Sequence, residues 1–575
     1  MTTILFATGN ERKFAEAAAA LAAVSPEWRL ERLAIDIPEI QTDDPIELLT
    51  AKARHVRAQT ARPFLIDDVS SVLDGTVNFP GALSKQVLRG LGTAALPRVF
   101  AAGQKITVTC TLALAYLDET HFFSGAVTGT IRHGERPLGQ MPLNGIVWLD
   151  DQGMFLGDEG AVTHRAKALA ALRAFLDERA AHAEQEQDAT SARWTERAPD
   201  WSGLTRDASS YVNHENGYAR FDRVLASVMK SAAAPTCLDV GCGTGIVARN
   251  MLAAGAAAVL GIDASPGMIE AATASSPPDD RLAFRCVQAP NLPPDAAYDV
   301  IASRGTVISH LPKWRAVSHL EALTRLTRAG SVLVMDVISD LGNGGFPNAG
   351  RKNVLSFDAL AGLMRELGWV PVARDGDDSA RVVIAAFHRP HPDSRYFVTG
   401  NSQKLLELRA AADLPHLHGC DFDLPELKDD DIARIAEHKA RQAFALVGRP
   451  VISTDGGIFL DALGGFPGAN SKQAAVKLGP DGLLKLLDGA VARSGCRRNV
   501  VALFDGESLR THVSEVPIDV AAAARGSHPA YPLDRILVPV DERNAAGLTY
   551  AEMPVAERAA FTELPALAAF IRNPV

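Results

Sequence analysis

The chain lacks any apolar run long enough to span a bilayer, and no basic-apolar leader precedes its first expected strand at Ile4. Export and membrane insertion are therefore not expected. Cysteine is scarce: the six residues Cys110, Cys237, Cys242, Cys286, Cys420 and Cys496 are scattered, and none forms a CxxC pair or a Cys/His cluster with zinc spacing. They read as reduced thiols of a cytoplasmic protein. An excess of positive charge is also missing. A formal net charge of −10 argues against a nucleic-acid polymer as partner, because polymer binding needs clustered Lys and Arg to displace counterions, although a small anion can still find a locally positive pocket.

What is present is an ordinary globular composition. With 47% hydrophobic and 22% charged residues the chain can bury cores nearly throughout. At 575 residues it is too long for one core, and about three or four domains are expected.

The chain repeats itself. "ILFATGNERKFAE" (4–16) returns as "YFVTGNSQKLLE" (396–407), "AIDIPEIQ" (34–41) as "DFDLPELK" (421–428), and "NFPGALSKQ" (78–86) as "GFPGANSKQ" (465–473). Glu39 with Glu426, Asp68 with Asp455 and Lys85 with Lys472 hold one register, so the flanks are two copies of one domain. Between them, residues 182–200 lose apolar periodicity and read as a helix tail entering a linker. Buried strands then alternate with amphipathic helices as in a doubly wound parallel sheet. The expected division is 1–182 for copy one, 183–204 for the linker, 205–390 for the central domain and 391–575 for copy two.

In the central domain, "LDVGCGTG" (238–245) is a strand ending in glycines that lead into a helix, a turn able to present backbone N–H groups to a ligand. Asp263 follows about twenty residues later at the end of the next strand, where a carboxylate accepts ribose hydroxyls. This arrangement resembles class I S-adenosylmethionine-dependent methyltransferases, with a Rossmann-like fold. The resemblance implies that Asp239, Gly241, Gly243 and Gly245 hold the methionine end of the cofactor, Asp263 the ribose, and Met268 the flank of the adenine. Gln288 stands where the family commonly has an acid near the adenine amino group; an amide oxygen can accept the same bond. Tyr211, His214, Tyr218 and His310 fall where such domains cover or floor the acceptor site, and His310 is the candidate catalytic imidazole for a small-molecule acceptor.

The flanks carry TGNxxKxxE, [IL]PE, a strand-ending Asp and FPGxxSK in that order, which resembles the inosine triphosphate pyrophosphatase family. That likeness implies an elongated, two-lobed α/β ITPase-like fold and hydrolysis of a nucleoside triphosphate to monophosphate and pyrophosphate with Mg²⁺. In copy one it assigns Thr8, Asn10, Lys13 and Lys85 to the triphosphate, Thr163, His164 and Arg165 to the base, and Glu39 with Asp68 to the metal or the attacking water. In copy two Thr399, Asn401, Lys404, Lys472, Asp534 and Arg558 take substrate, with Glu426 and Asp455 at the metal; Asp68 and Asp455 are the candidate catalytic acids.

Each copy departs from the pattern. Copy one has Glu159 in place of a phosphate-facing Lys and Ser70 in place of a glycine. Copy two has "TEL" (562–564) where the base-reading triad belongs, and Arg434 for a Glu. Because family members are usually homodimers, the two copies are expected to pair with each other inside the chain. Three readings stand. The chain is a coupled enzyme joining methyl transfer to triphosphate binding or cleavage, or a methyltransferase on inactive scaffold copies, or a pyrophosphatase with an accessory methyltransferase.

Overall fold

The structure, a computed structural model, describes residues 2–572 apart from 23–27, 39, 41, 43, 136–141, 203–216, 294–295, 306, 339–354, 377–381, 400–401, 423, 426, 428, 528–530 and 563. Three β-sheets organise it, one for each copy and one between them.

In copy one the strands are β1 (Thr2–Ala7), β2 (Trp28–Leu33), β3 (Phe64–Leu73), β4 (Pro80–Gly81), β5 (Lys105–Tyr116), β6 (Glu119–Ile131), β7 (Val147–Leu149) and β8 (Met154–Phe155). They lie in the order β2-β1-β3-β5-β6-β7-β8, with β4 beside β3. The first three run parallel, and the long β3-β5-β6 ribbon is antiparallel. The helices are α1 (Glu11–Ala22), α2 (Pro45–Arg57), α3 (Ser84–Val99), α4 (Pro142–Ile146) and α5 (His164–Ser202).

The central strands are β9 (Thr236–Val240), β10 (Ala258–Asp263), β11 (Leu282–Cys286), β12 (Tyr298–Ser303), β13 (Thr327–Ile338), β14 (Val370–Asp375) and β15 (Val382–His388). Their order is β11-β10-β9-β12-β13-β15-β14, parallel except for β15, which is antiparallel to both of its neighbours. Strand order reverses beside β9, so its carboxyl end opens at a switch point where α/β sheets bind ligands. The helices here are α6 (Gly217–Ser231), α7 (Ile246–Ala253), α8 (Pro266–Ala274), α9 (Val307–His310), α10 (Lys313–Arg325) and α11 (Phe357–Glu366).

Copy two repeats copy one's topology with β16 (Arg395–Val398), β17 (Leu417–Cys420), β18 (Val451–Leu460), β19 (Pro467–Gly468), β20 (Ser494–Phe504), β21 (Leu509–Val520) and β22 (Leu537–Pro539), in the order β17-β16-β18-β20-β21-β22. Its α12 (Ser402–Ala412) and α13 (Ile432–Val447) match α1 and α2. The duplication reaches individual caps. Asp44 accepts from Ile46 N at 2.8 Å to start α2, and Asp431 accepts from Ala433 N at 2.8 Å to start α13.

Contacts among the described residues seat both copies on the central domain; the expected pairing of the copies on each other stays a proposal. Trp314 of α10 packs among Trp28, Tyr116, His121 and Phe175 of copy one. Glu321 of α10 accepts from Thr3 N, and Lys313 pairs with Asp118 and Glu119. On the other side Asp421 of copy two bridges the edge strand β14, exchanging backbone bonds with Val372 and Arg374 at 2.8 and 3.2 Å. An exposed sheet edge is thereby covered. The matching loops after α2 and α13 both reach α11, with Ala61 against Gly362 and Gly448 against Arg365. The result is one apolar cluster running from Ile4 and Trp28 through Leu238 and Trp369 to Tyr396 and Val451.

Residues 183–202, expected as linker, are the second half of α5. At about 1.5 Å per residue this helix runs nearly 60 Å, from His164 of copy one onto the central domain.

Candidate functional site

The glycine turn between β9 and α7 has three left-handed residues, Gly241 at φ +67°, Gly243 at +51° and Gly245 at +77°. A Cβ at Gly241 would strike Val307 and one at Gly245 the ring of Phe284, so those two serve packing as well as conformation. A Cβ at Gly243 would meet nothing within 4 Å; the backbone there faces open space.

That space is a cavity of about 920 Å³. Its volume lies at the upper end of the ~300–1,000 Å³ range of small-molecule pockets, enough for a cofactor together with a second small molecule. Asp239, Gly241, Gly243, Asp263, Met268, Gln288 and His310 all line it, so the structure brings these expected residues together; Gly245 stands behind the turn and does not line it.

Two carboxylates fix the turn. Asp239 Oδ2 accepts from Ala248 N at 2.9 Å, and Asp263 accepts from Gly243 N at 3.0 Å and Ser265 N at 2.9 Å. Burial raises the Asp239 carboxyl to about 7, and burial also raises Asp263 above the usual carboxylate range. A second polar ligand group at Asp263, such as a ribose diol, would offset that desolvation. The donor set and the open face at Gly243 therefore fit S-adenosylmethionine.

The cavity's remaining wall was not foreseen from sequence. Gln187, Thr190, Ser191, Arg193, Trp194 and Arg197 of α5 line it. Ser191 Oγ donates to Ala264 O at 2.7 Å, and Thr195 Oγ1 lies 2.9 Å from Ser265 Oγ. Trp194 sets its ring edge-to-face with His310, centroids 5.6 Å apart. His319 of α10 also lines the cavity; it is 7% exposed, and burial lowers its imidazole to about 4, keeping it neutral. A lone Trp in a charged stretch was the one sequence signal for this wall, and His319 gave none. Tyr211 and His214 lie outside the described residues, as does the side chain of Tyr218.

In copy one the expected phosphate and base residues are joined to local acids. Thr8 Oγ1 accepts from Asn10 N, and Asn10 Oδ1 accepts from Arg12 N and Lys13 N, capping α1. Lys13 pairs with Asp67 at 2.9 Å. Thr163 caps α5 by accepting from Ala166 N, His164 is buried and lowered to about 4 by that burial, and Arg165 reaches Glu16 at 2.6 Å and Asp67 at 3.5 Å. Burial alone would push Asp67 up, but Lys13 and Arg165 together hold its carboxyl below the usual range. Asp68 pairs with Lys52 at 2.9 Å, while Lys85 and Glu159 are exposed.

Copy two differs at the matching position. Thr454 stands where copy one has Asp67, and Lys404 donates to its hydroxyl at 2.6 Å. Asp534 lies 3.5 Å from Arg497 and 4.0 Å from Arg558. Asp455 accepts from Gly456 N at 2.8 Å; Thr399 donates its backbone N–H to Cys420 O, Lys472 is exposed, and Arg434 pairs with Asp429. Glu39, Glu426 and Asn401 lie outside the described residues. Among the described residues no group of three or more His, Cys, Asp or Glu side chains is placed to hold a metal ion.

Comparison with known proteins finds both kinds of domain. A methyltransferase domain model matches residues 237–330. A "dITP/XTP pyrophosphatase" of Saccharolobus solfataricus is 31% identical over 166 residues, covering 28% of this chain and 82% of that protein. A protein of the same description from Methanopyrus kandleri is 34% identical over 165 residues, covering 28% and 85%. A solved putative S-adenosylmethionine dependent methyltransferase from Listeria monocytogenes aligns at 12% identity and TM-score 0.26, covering 30% of this chain and all of that one, a likeness too low to carry weight. The Ham1 family model matches residues 4–175 and again 395–564, more than half of the chain, which therefore belongs to the Ham1 family and carries a methyltransferase domain between its two Ham1 regions.

Proposed function

We propose that the chain transfers a methyl group from S-adenosylmethionine to a small molecule, and that a flanking Ham1 copy binds a nucleoside triphosphate or cleaves it to monophosphate and pyrophosphate. The observation that carries the first half is Gly243, left-handed and facing an open cavity, with Asp263 bonded to its N–H. The cofactor supplies an activated methyl group. The chain's part is to hold it by the glycine turn, Asp263, Met268 and Gln288, and to close the cavity against water with α5.

For the second half, Mg²⁺ is the expected ion and copy two the better site. Its Arg558 lies 4.0 Å from Asp534 at the position where copy one has the exposed Glu159, a carboxylate that would repel a triphosphate. Glu159 favours a second reading for copy one alone, as scaffold. The reduced thiols suit a cytoplasmic setting; no helix among the described residues is long and apolar enough to cross a membrane.

Two assays on the full chain test this. S-adenosylhomocysteine should bind the native protein and bind Asp263→Ala roughly a hundredfold more weakly, as expected for losing bonds worth about 1.5–3 kcal/mol each to a charged group. Unchanged affinity would sink the cofactor assignment. Pyrophosphate release from ITP, XTP, dITP and the common triphosphates with Mg²⁺ should vanish in Asp455→Ala and persist in Asp68→Ala. No release from the native protein would leave the copies as binding or scaffold modules.

A further inference from the structure

The cavity beside the glycine turn holds more cationic and flat aromatic surface than the cofactor itself requires. Arg193, Arg197, Arg304 and Arg315 line it, with Trp194 and His310. S-adenosylmethionine carries one carboxylate and is net cationic through its sulfonium and ammonium groups, so it gives four guanidiniums little to bind. Arg304 and Arg315 have further partners of their own, which leaves Arg193 and Arg197 as the guanidiniums of interest. Asp239 and Asp263 are turned to backbone amides of the glycine turn and its flanks, and Glu184 and Asp188 are exposed at the α5 rim. Arg304 reaches Asp222 at 3.5 Å.

Arg193 is the informative member. Among the described residues its Nε is buried and has no hydrogen-bond partner, and its guanidinium carbon lies 5.7 Å from the Trp194 ring centroid. A second buried polar atom without a partner among the described residues, Nε2 of His319, belongs to the same cavity. Buried donors left unpaired cost about 1–3 kcal/mol each and more when charged, so a ligand that supplies acceptors gains what they lack. A planar fork of guanidinium donors fits a carboxylate or phosphate, and an indole face fits a flat ring.

We propose that the methyl acceptor is a planar anion, a heteroaromatic ring bearing a phosphate or carboxylate, with Arg193 and Trp194 of α5 as its specificity-determining residues. This rests on the methyl-transfer reading above. In the transfer the carbon–sulfur bond breaks with its electron pair left on sulfur. A bond forms to a lone pair of a ring nitrogen or oxygen, whose proton leaves to water. The acceptor site is then built partly by a helix that begins in copy one, and copy one is needed to complete it.

The test uses the full chain saturated with S-adenosylhomocysteine and titrated calorimetrically with four probes: IMP, inosine, quinoline-2-carboxylate and quinoline. One of the two anions should bind at least tenfold more tightly than its neutral counterpart, and which one tells phosphate from carboxylate. Arg193→Gln should weaken that anion about tenfold with S-adenosylhomocysteine affinity unchanged, Arg193→Lys should recover part of it, and Trp194→Ala should weaken anion and neutral ring alike. The flanking copies are the same in all these proteins, so the difference between native and variant isolates the cavity. Equal affinity for neutral and anionic probes, no binding of either anion, or an Arg193→Gln protein that binds the anion as the native one does would overturn the proposal. Failure of S-adenosylhomocysteine to bind the native protein would instead overturn the methyl-transfer reading.

Discussion

Thr195 Oγ1 lies 2.9 Å from Ser265 Oγ, and through this pair α5 is fastened to the cap of α8, two residues beyond Asp263. Thr195 keeps the shape of the contact when changed to Val but loses the bond. Thr195→Val should weaken S-adenosylhomocysteine binding about fivefold, the equivalent of roughly 1 kcal/mol, with Ser265 still accepting from Met268 N. Calorimetry decides it, and an unchanged affinity would mean that α5 stands beside the cofactor end without bearing on it.

Trp314 is the peg between copy one and the central domain. Its ring centroid is 4.2 Å from that of Tyr116 and 6.1 Å from that of Trp28. Trp314→Ala should cost about 3–5 kcal/mol at this seam, as large-to-small changes in packed cores do. Thermal unfolding should resolve into more than one transition; a single transition at the native temperature would show that α5 alone holds the two together.

His388 and His418 stack with ring centroids 3.8 Å apart where copy two meets the central domain. Tyr396, Ser394, Arg409, His416 and Arg449 surround them. Burial, then the neighbouring cations, lowers His418 to about 4 and His388 to about 2. The unfolded chain takes up these protons first. Stability from the pair is therefore complete above about pH 6.5 and falls as pH drops toward 4, on the order of 2–3 kcal/mol for His418 alone. Urea unfolding across pH 7 to 4 should show this decline, reduced in His418→Phe.

Nucleotide binding should separate the copies. Copy two has Arg558 at the position where copy one has the exposed Glu159, so a triphosphate meets a cation in one and an anion in the other. With Mg²⁺ and ITP the full chain should gain thermal stability, most of it lost in Lys404→Ala and little in Lys13→Ala. The opposite ranking would place the working site in copy one.

Much of this was legible in the sequence because it is local. The glycine turn announces itself by residues that alone tolerate φ near +60°, and the repeated Asp caps of α2 and α13 are set by neighbours two residues away. Residues 183–202 were misread for a physical reason. Their buried side chains, Ala183 and Ala198, are small, and the half-buried Ser191 and Thr195 are polar, so no apolar stripe forms. The pairing of Lys13 with Asp67 joins residues far apart in the chain and leaves no local trace. The seating of both copies on the central domain was equally hidden, since Trp28 and Trp314 look like ordinary core residues until the fold brings them together.

A continuous helix is also a screw, and α5 has Arg165 near one end and Trp194 near the other. Every residue between them turns the far end by about 100° and advances it about 1.5 Å. Deleting a single residue between Arg179 and Gln187 would swing Trp194 and Arg193 off the cavity while leaving both domains' own cores intact. Deleting seven would restore nearly the same heading but draw the domains together by about 10 Å. The length of the bridge thus sets an angular phase between copy one and the central domain, and insertions or deletions in it are constrained in number even where the side chains themselves are not.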